Sequence, residues 1–248
     1  MDTDELGDYV ERSQSLLADS PQMDEQNTKR KLIEPLLELL GWQMLSSDVE
    51  LEYSVQMGVG TKKVDYALKL EDTPVVFVEA KGADTAINSG HRDQLTSYMR
   101  QTGVDWGMVT NGMELELYKR KRDGGRPDET NLGTISLDEL PGRTRLIQAF
   151  SRDSLESGKS TVIAENIETT RNAANKLRDK KDQVSTRVAK VVTDEIGDEV
   201  SQTVEDGAKE FVDVLASTLE RQGRSDATIS EQIEPVTGRS NDNWKPGK

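Results

Sequence analysis

The chain has 248 residues, no cysteine, one histidine and a formal net charge of −14, from 46 acidic and 32 basic residues. The missing cysteines exclude disulfides and thiolate zinc sites, and the single His91 excludes a histidine metal cluster. No apolar stretch approaches the ~20 residues of a membrane span, and the acidic N-terminus lacks the basic and apolar regions of a signal peptide, so we expect a cytoplasmic protein with no membrane contact.

The first predicted elements are helical. Residues 1–19 form a polar leader with one helical stripe of Leu6, Val10, Leu16 and Leu17. A broad apolar helix face follows at Leu32, Ile33, Leu36, Leu37, Leu39 and Leu40. Pro35 falls inside this second pattern. Because proline lacks the N–H of an interior helical position, the start of the helix stays open.

Two alternating strands come next, at residues 49–55 and 64–70, and the second alternation sets Asp65 apart from its apolar neighbours. The apolar run 75–78 predicts a buried central strand that ends in Glu79-Ala80-Lys81. Glu79 and Lys81 share one face, and Asp65 joins them if its strand is the hairpin neighbour. Two carboxylates and an ammonium would then converge, as an oxygen-seeking metal and a polarised water require.

The simplest alternative is that Glu-x-Lys is an ordinary surface ion pair. The buried strand before it and a matching helix after it disfavour that interpretation. Asn88 or Ser89 caps the helix and Gly103 ends it. Gln94 and Tyr98 lie one turn apart on a half-buried face, where the amide of Gln94 is available to a phosphate or a metal-bound water. For Tyr98 alone, a packed face is the favoured interpretation.

The remaining elements alternate and then turn helical. A strand at Trp106, Met108 and Thr110 is followed by an Asn111-Gly112 turn and a strand at Leu115 and Leu117. Residues 123–133 form a loop or domain boundary. Residues 143–222 carry a narrow apolar stripe that includes Val184, Val188, Val191, Phe211 and Leu215, typical of a helical hairpin or coiled coil. The tail, 223–248, has few apolar residues and is expected to be disordered.

The helical stripe cannot be buried by one helix. An antiparallel hairpin within the chain is slightly favoured over a homodimer, and a partner protein remains a third possibility. Gly158-Lys159-Ser160 ends like a phosphate loop, but Asp153 stands where the first glycine is needed, so no ATP site is expected.

Together, Asp65, Glu79-Ala80-Lys81 and Gln94-x-x-x-Tyr98 resemble the PD-(D/E)XK nuclease core with its following Q-x-x-x-Y motif. The branch they are most similar to is the N-terminal nuclease domain of type I restriction enzyme R subunits, in a short form without the motor domain. The segments Glu25–Lys29 and 32–42 look like that family's opening helix. The resemblance covers about residues 20–122. Val64 replaces the proline of the leading Pro-Asp.

The resemblance implies an α/β fold with a mixed central sheet flanked by helices, a restriction-endonuclease-like core over residues 20–142, and a long helical region after it. It implies a Mg²⁺-dependent deoxyribonuclease, with Mn²⁺ as a substitute. Asp65, Glu79 and the carbonyl of Ala80 would bind the metal, with Glu25 completing the site and Glu34 as the runner-up. Lys81 would act on the attacking water and the phosphate, and Gln94 and Tyr98 would position phosphate, water or the helix.

The acidic charge argues against DNA as a partner, because nucleic-acid binders usually present a basic face. Local basic clusters at residues 29–31, 62–63 and 119–122 soften this objection, although for any single cluster a solvated surface patch is the favoured explanation. Excess Asp and Glu with few aromatic residues also suit a salt-rich, halophilic cytoplasm, where repulsion of DNA is screened. The alternative function is a non-cleaving nucleic-acid-binding or assembly module with the same fold.

Overall fold

The computed structural model describes residues 3–58, 60–121 and 128–224. Its centre is a six-stranded mixed sheet whose strands lie in sequence order. The strands are β1 (Val49–Met57), β2 (Gly60–Leu70), β3 (Thr73–Ala80), β4 (Trp106–Thr110), β5 (Glu114–Lys121) and β6 (Asp128–Ser136). Neighbouring strands are antiparallel except β3 and β4, which are parallel. The connection from β3 to β4 must therefore cross the sheet, and it contains a helix.

Helices cover both faces of this sheet, and a helical region follows it. Before the sheet lie α1 (Thr3–Asp19), α2 (Glu25–Thr28), a π-helical turn (Lys29–Ile33) and α3 (Glu34–Leu39). The crossover helix is α4 (Ser89–Thr102). After the sheet come a 3-10 helix (Leu137–Arg143), α5 (Thr144–Gln148), α6 (Arg152–Glu156), α7 (Lys159–Asp179), α8 (Lys181–Ile196), a 3-10 turn (Asp198–Val200) and α9 (Ser201–Arg224).

The larger hydrophobic cluster lies between the first sheet face and the helices before and after the sheet. The segment expected to be a polar leader forms α1, and Leu6, Tyr9 and Val10 are buried in this cluster. The hydroxyl of Tyr9 donates to the carbonyl of Leu32 at 3.0 Å, and burial raises the pKa of Tyr9 to about 12. α1 is therefore part of the packed fold.

A smaller cluster lies under α4 on the second sheet face. It joins Val64, Ala67 and Phe77 from β2 and β3 to Leu95 and Met99 of α4. Helices thus cover the sheet on two sides, which is the α/β architecture with a mixed central sheet that the sequence predicted. Among the residues that the structure describes, no helix combines the length and the apolar character that crossing a bilayer requires.

Pro35 is accommodated by a change of helix type. The N–H of Glu34 donates to the carbonyl of Lys29, five residues back, which defines a π-turn immediately before the proline. Pro35 then sits at the start of α3, where its missing N–H costs little. The predicted helix is therefore present, and it divides at the π-turn because of the proline.

The sequence predicted a loop or domain boundary at residues 123–133, and this prediction is wrong from residue 128 onward. Residues 128–136 form the edge strand β6, which pairs with β5 and buries Leu132 and Ile135. The side chain of Arg171 on α7 donates to the carbonyls of Asn131 and Leu132, which ties the helical region to this strand. The polar composition of this segment reflects its edge position, where one side faces solvent.

The last three helices form a hairpin. α9 packs against both α7 and α8, which follow one another almost end to end. Ion pairs from Arg178 to Glu220 and from Lys181 to Asp213 show that α9 runs antiparallel to them. The tail expected to be disordered lies, from residue 225 onward, outside the described residues.

Small residues build the interface of this hairpin. Ser185 and Ala189 of α8 are buried, and Ala208, Val212 and Ala216 are buried on α9. The apolar stripe expected from the sequence was wrong at two positions, because Val191 and Phe211 are 68% and 56% exposed. Small side chains let the helix backbones approach closely. All of these buried residues except Ala208 therefore lie one position after the larger apolar residues of the predicted stripe.

Candidate active site

Strand β3 places Glu79 and Lys81 at one end of the sheet. The three residues before Glu79 are fully buried, because β3 lies between β2 and β4. Lys81 follows the strand, and its N–H donates to the carbonyl of Thr110 on β4 at 2.8 Å. The side chain of Glu79 is part of this interior, since the residue is only 2% exposed. A carboxylate so deeply buried requires local compensation for its charge.

Asp65 joins this strand end through the backbone. Its Oδ2 atom accepts a hydrogen bond of 2.7 Å from the N–H of Ala80, at the end of β3. Val64 packs in the smaller cluster and Tyr66 in the larger one, so β2 changes face at Asp65. At the point where β2 and β3 separate, the Asp65 side chain therefore takes the place of the backbone hydrogen bonds between the two strands. The convergence expected from the hairpin arrangement is present.

Two donors hold one oxygen of Glu79. Oε1 accepts from the ammonium of Lys81 at 2.6 Å and from the side-chain amide of Gln94 at 2.6 Å. Oε2 is buried and has no hydrogen-bond partner among the described residues. Burial raises the pKa of Glu79 to about 7, and the charge of Asp65 acts in the same direction, against the hydrogen bond from Lys81. The carboxylate is thus under-compensated in charge.

α4 presents Gln94 to this carboxylate. The helix begins at the expected place: Asn88 caps it, and the N–H of Asn88 in turn donates to Nδ1 of His91. It ends at Gly103, whose φ of 82° is the left-handed conformation that glycine favours. Tyr98 is buried one turn after Gln94 and hydrogen-bonded to it; burial and the charge of Glu79 raise the pKa of Tyr98. Tyr98 therefore contacts Gln94, which in turn donates to Glu79.

The opening helix contributes a lysine that the sequence analysis placed in a basic surface cluster. The ammonium of Lys29 lies 2.7 Å from Oε1 of Glu25 and 2.5 Å from Oδ1 of Asp65. Glu25 therefore reaches the site through Lys29. Glu34, the runner-up, lies against Tyr66, whose hydroxyl donates to it at 3.4 Å. The i, i+4 spacing of Glu25 and Lys29 was the available signal for their pairing.

Thr28 fixes the opening helix to the end of β3. Its Oγ1 accepts a 2.9 Å hydrogen bond from the N–H of Ala83, two residues after Lys81. Gly82 permits this approach, because a Cβ there would lie 3.2 Å from the backbone nitrogen of Glu25 and closer still to the side chain of Asp84. The positions of Glu25 and Lys29 relative to β3 are therefore set by the hydrogen bond between Thr28 and Ala83 and by the close approach at Gly82.

The donor chemistry of this site fits a hard divalent cation. The unpartnered Oε2 of Glu79 and the neighbouring carboxylate of Asp65 are the oxygen ligands that Mg²⁺ prefers. Within the described residues, however, no group of three or more His, Cys, Asp or Glu side chains is arranged to hold a metal. Glu25 is engaged by Lys29 instead of standing as a third carboxylate. The residues offer a two-carboxylate site with a lysine on either side.

The basic cluster at residues 119–122 is largely neutralised where it is described. Lys119 and Arg120 both pair with Asp105, at 3.7 and 3.2 Å, and Lys121 pairs with Glu168 of α7 at 2.8 Å. These lysines and the arginine tie β5 to its neighbours, so a structural role explains this cluster.

Comparisons with known proteins identify the segment that carries the site. Residues 24–133 match the family described as type I restriction enzyme R protein N terminus. A fragment described as an HsdR subunit of a type I restriction enzyme from Vibrio vulnificus YJ016 is 28% identical, with a TM-score of 0.37, over 49% of this chain and 25% of that one. The DrdV–DNA complex is 13% identical, with a TM-score of 0.39, over 93% of this chain and 27% of that one. No curated protein matches the chain.

The chain thus spans about a quarter of each of these solved chains. The matched family segment begins just before Glu25 and ends within β6, so it contains every residue of the candidate site. The resemblance that the motif order indicated is therefore confirmed, and residues 24–133 are similar to the N terminus of type I restriction enzyme R proteins.

Proposed function

We propose that the chain is a metal-dependent endonuclease that hydrolyses DNA phosphodiester bonds. The observation that carries the proposal is the convergence of Asp65, Glu79 and Lys81 at one sheet end, with Glu79 buried and its Oε2 unpartnered. A buried polar atom without a partner calls for an explanation, and beside Asp65 and Lys81 a bound cation would supply one. Perturbed carboxylates of this kind are concentrated at functional sites.

Asp65 and Glu79 would hold Mg²⁺ or Mn²⁺, with the carbonyl of Ala80 as a further oxygen ligand. When bound, the cation supplies positive charge to the phosphodiester and favours deprotonation of the attacking water. Lys81 keeps its ammonium beside Glu79 and stabilises negative charge on the phosphate. Gln94 orients Glu79, and Tyr98 supports Gln94 from the packed face of α4.

We assign this activity to residues 20–142 and a docking or spacing role to the helical hairpin of residues 143–222. The match to R protein N termini supports the first assignment, because it covers most of that range. The hairpin is fixed to β6 by Arg171, so it moves with the sheet. DNA would approach the sheet end that carries Glu79 and Lys81.

A second candidate is an assembly module that retains this fold without cutting. The neutralised cluster at Lys119, Arg120 and Lys121 favours it, because these side chains offer little free charge to phosphates. The two candidates differ in metal binding: a nuclease takes up Mg²⁺ or Mn²⁺ through Asp65, whereas a module of this kind has no need of it.

The test is conversion of supercoiled plasmid to nicked and linear forms in high KCl with Mg²⁺, Mn²⁺ or EDTA. Asp65→Asn is the informative variant, since its amide oxygen still accepts from the N–H of Ala80. Glu50→Gln is the matched control, because Glu50 pairs with Lys69 on β1–β2 away from the site. Cutting that needs metal, persists in the control and is lost in Asp65→Asn establishes the nuclease. Cutting that survives in Asp65→Asn refutes this site. An absence of cutting with metal binding intact points to a missing partner or a specific substrate, and an absence of both favours the assembly module.

A further inference from the structure

The side chain of Lys29 lies inside the protein, unlike its neighbours in the same basic cluster. Lys29 is only 7% exposed, whereas the side chain of Arg30 is 76% exposed in its surface pair with Glu34. The π-turn that begins at Lys29 buries Lys29, Leu32 and Ile33 together. Such turns occur often at functional sites. Lys29 is therefore held toward the sheet by the backbone that precedes Pro35.

The ammonium of Lys29 bridges two carboxylates that belong to different elements. It bonds Glu25 at the start of α2 and Asp65 on β2, at 2.7 and 2.5 Å. Burial alone would lower the pKa of Lys29, but the hydrogen bonds to Asp65 and Glu25 outweigh it, so the pKa is raised. The ammonium of Lys29 is shared between a proposed metal ligand, Asp65, and its acidic neighbour on the opening helix, Glu25.

A divalent cation at Asp65 would meet this ammonium directly. Both carboxylate oxygens of Asp65 are engaged, Oδ2 by the N–H of Ala80 and Oδ1 by the ammonium of Lys29, so a cation bound to Asp65 lies close to that ammonium. One oxygen accepts an ammonium at 2.5 Å and a metal ion at the same time only at a large cost in like-charge repulsion. Glu25 is drawn to the same ammonium and is thereby withheld from the site.

We propose that Lys29 is an internal competitor of the divalent cation, which must displace the Lys29 ammonium from Asp65 before the site is complete. The inference rests on the proposed function, because it takes Asp65 as a metal ligand. The competition raises the metal concentration that is needed to fill the site. The cation binds only when its concentration is high enough to displace Lys29 from Asp65, or when the phosphates of a substrate attract Lys29 away. Release of Lys29 also frees Glu25 to enter the site as a third carboxylate.

The test measures binding of MnCl₂ by isothermal titration calorimetry in the full chain, at fixed pH and KCl concentration and without DNA. Lys29→Met removes the charge and keeps an unbranched side chain of similar length. Lys31→Met is the matched control, since Lys31 is an exposed member of the same cluster. We expect Lys29→Met to bind Mn²⁺ about tenfold more tightly or better, and Lys31→Met to bind like the wild type. Circular dichroism confirms the fold of each variant.

Lys29→Arg provides a second measurement, and the only one needed if Lys29→Met does not fold. Arginine keeps the charge and binds carboxylates with a more rigid fork, so it is expected to weaken Mn²⁺ binding relative to the wild type. Equal affinities in wild type and both Lys29 variants overturn the competition and leave the metal site standing. Weaker binding by Lys29→Met also overturns it, since Lys29 would then assemble the site. If no variant binds Mn²⁺, the metal site itself is refuted together with this inference.

Discussion

The side-chain amide of Gln94 and the ammonium of Lys81 both donate to the same oxygen of Glu79, each at 2.6 Å. This arrangement fixes the rotation of the carboxylate and leaves Oε2 as the atom without a described partner. α4 reaches the site through the hydrogen bond from Gln94. We therefore propose that Gln94 is a positioning residue, a role that can be tested separately from the chemistry.

Gln94→Ala should shift the pH dependence of cleavage as well as its rate. A hydrogen bond to the charged form lowers the pKa of a carboxyl group, so its loss should raise the pKa of Glu79 above about 7. We expect kcat at pH 7 to fall roughly 10-fold or more, with partial recovery near pH 8.5. Gln101→Ala, on the exposed end of the same helix, is the control. A profile that falls without moving along the pH axis would assign Gln94 a different role.

Lys81 should act through its charge. Lys81→Met is expected to lower the rate of plasmid cleavage about 100-fold or more, while Lys81→Arg should retain part of the activity because it restores a cation beside Glu79. Single-turnover rates at saturating Mg²⁺ measure the difference. If Lys81→Arg is as inactive as Lys81→Met, a proton on the lysine itself is required and the charge-only role fails.

The sequence predicted most of this site because its signals are local. The buried run before Glu79 and the cap at Asn88 each depend on a few adjacent residues, and both are present in the structure. The regular alternation predicted around Asp65 is wrong, because Val64 packs on one face of the sheet and Tyr66 on the other. The i, i+4 spacing placed Gln94 and Tyr98 on one side of α4. Gln94 contacts Glu79, which is distant in sequence, because α4 lies in the crossover between the parallel strands β3 and β4.

What the sequence did not predict depends on tertiary context. Lys29 stands in a run of three basic residues, and only the π-turn before Pro35 directs it inward. β6 is polar because it is an edge strand, so its pairing with β5 leaves little trace in its composition. The line of Ser185 and Ala189 is buried in place of Val184 and Val188 because two helices approach closely there. Periodicity alone does not reveal that distance.

Glu79→Gln should stabilise the protein at alkaline pH while abolishing cleavage. The pKa of Glu79 is raised in the folded state, so the folded protein binds the proton more tightly than the unfolded chain does. The buried charge therefore lowers the free energy of unfolding by its full amount above pH 7. This cost disappears as the pH falls toward the pKa of a free carboxyl group. We expect a gain of about 1–3 kcal/mol in unfolding free energy at pH 8, and little difference at pH 4.5.

Urea unfolding at both pH values measures this gain, and Glu50→Gln is again the control because Glu50 is an exposed surface residue. An equal gain at both pH values would show that packing, and not the charge, limits stability at this position.

The ion pair between the buried Glu116 and the half-exposed Arg92 should matter for stability alone. Glu116 on β5 is 2% exposed and accepts from Arg92 of α4, at 2.7 and 2.5 Å, and from Tyr118 at 2.7 Å. Burial would raise the pKa of Glu116, but these hydrogen bonds lower it, so its stabilising contribution is present at neutral pH and is lost as the pH falls through the folded pKa. Arg92→Met leaves that carboxylate with the hydrogen bond from Tyr118 and without a positive partner.

We expect Arg92→Met to cost about 2–4 kcal/mol at pH 7, and less at pH 4, where Glu116 takes up a proton more readily. The double variant Arg92→Met, Glu116→Met should recover much of this loss, because it removes the buried charge as well. The urea unfolding midpoints of the wild type, Arg92→Met, Glu116→Met and the double variant measure the coupling between the two side chains. A double variant no more stable than Arg92→Met would show that α4 needs this pair for its position.

The acidic surface should make the fold depend on salt. With a net charge of −14, the folded chain carries self-repulsion that salt reduces, since the screening length falls from about 10 Å at 0.1 M to about 3 Å at 1 M. We expect the unfolding free energy to rise by at least about 1 kcal/mol between 0.1 M and 2 M KCl, as a halophilic protein requires. Sucrose at matched osmolality separates screening from solute exclusion, because it stabilises compact states without screening charge. Equal urea midpoints in low and high KCl would count against a halophilic adaptation.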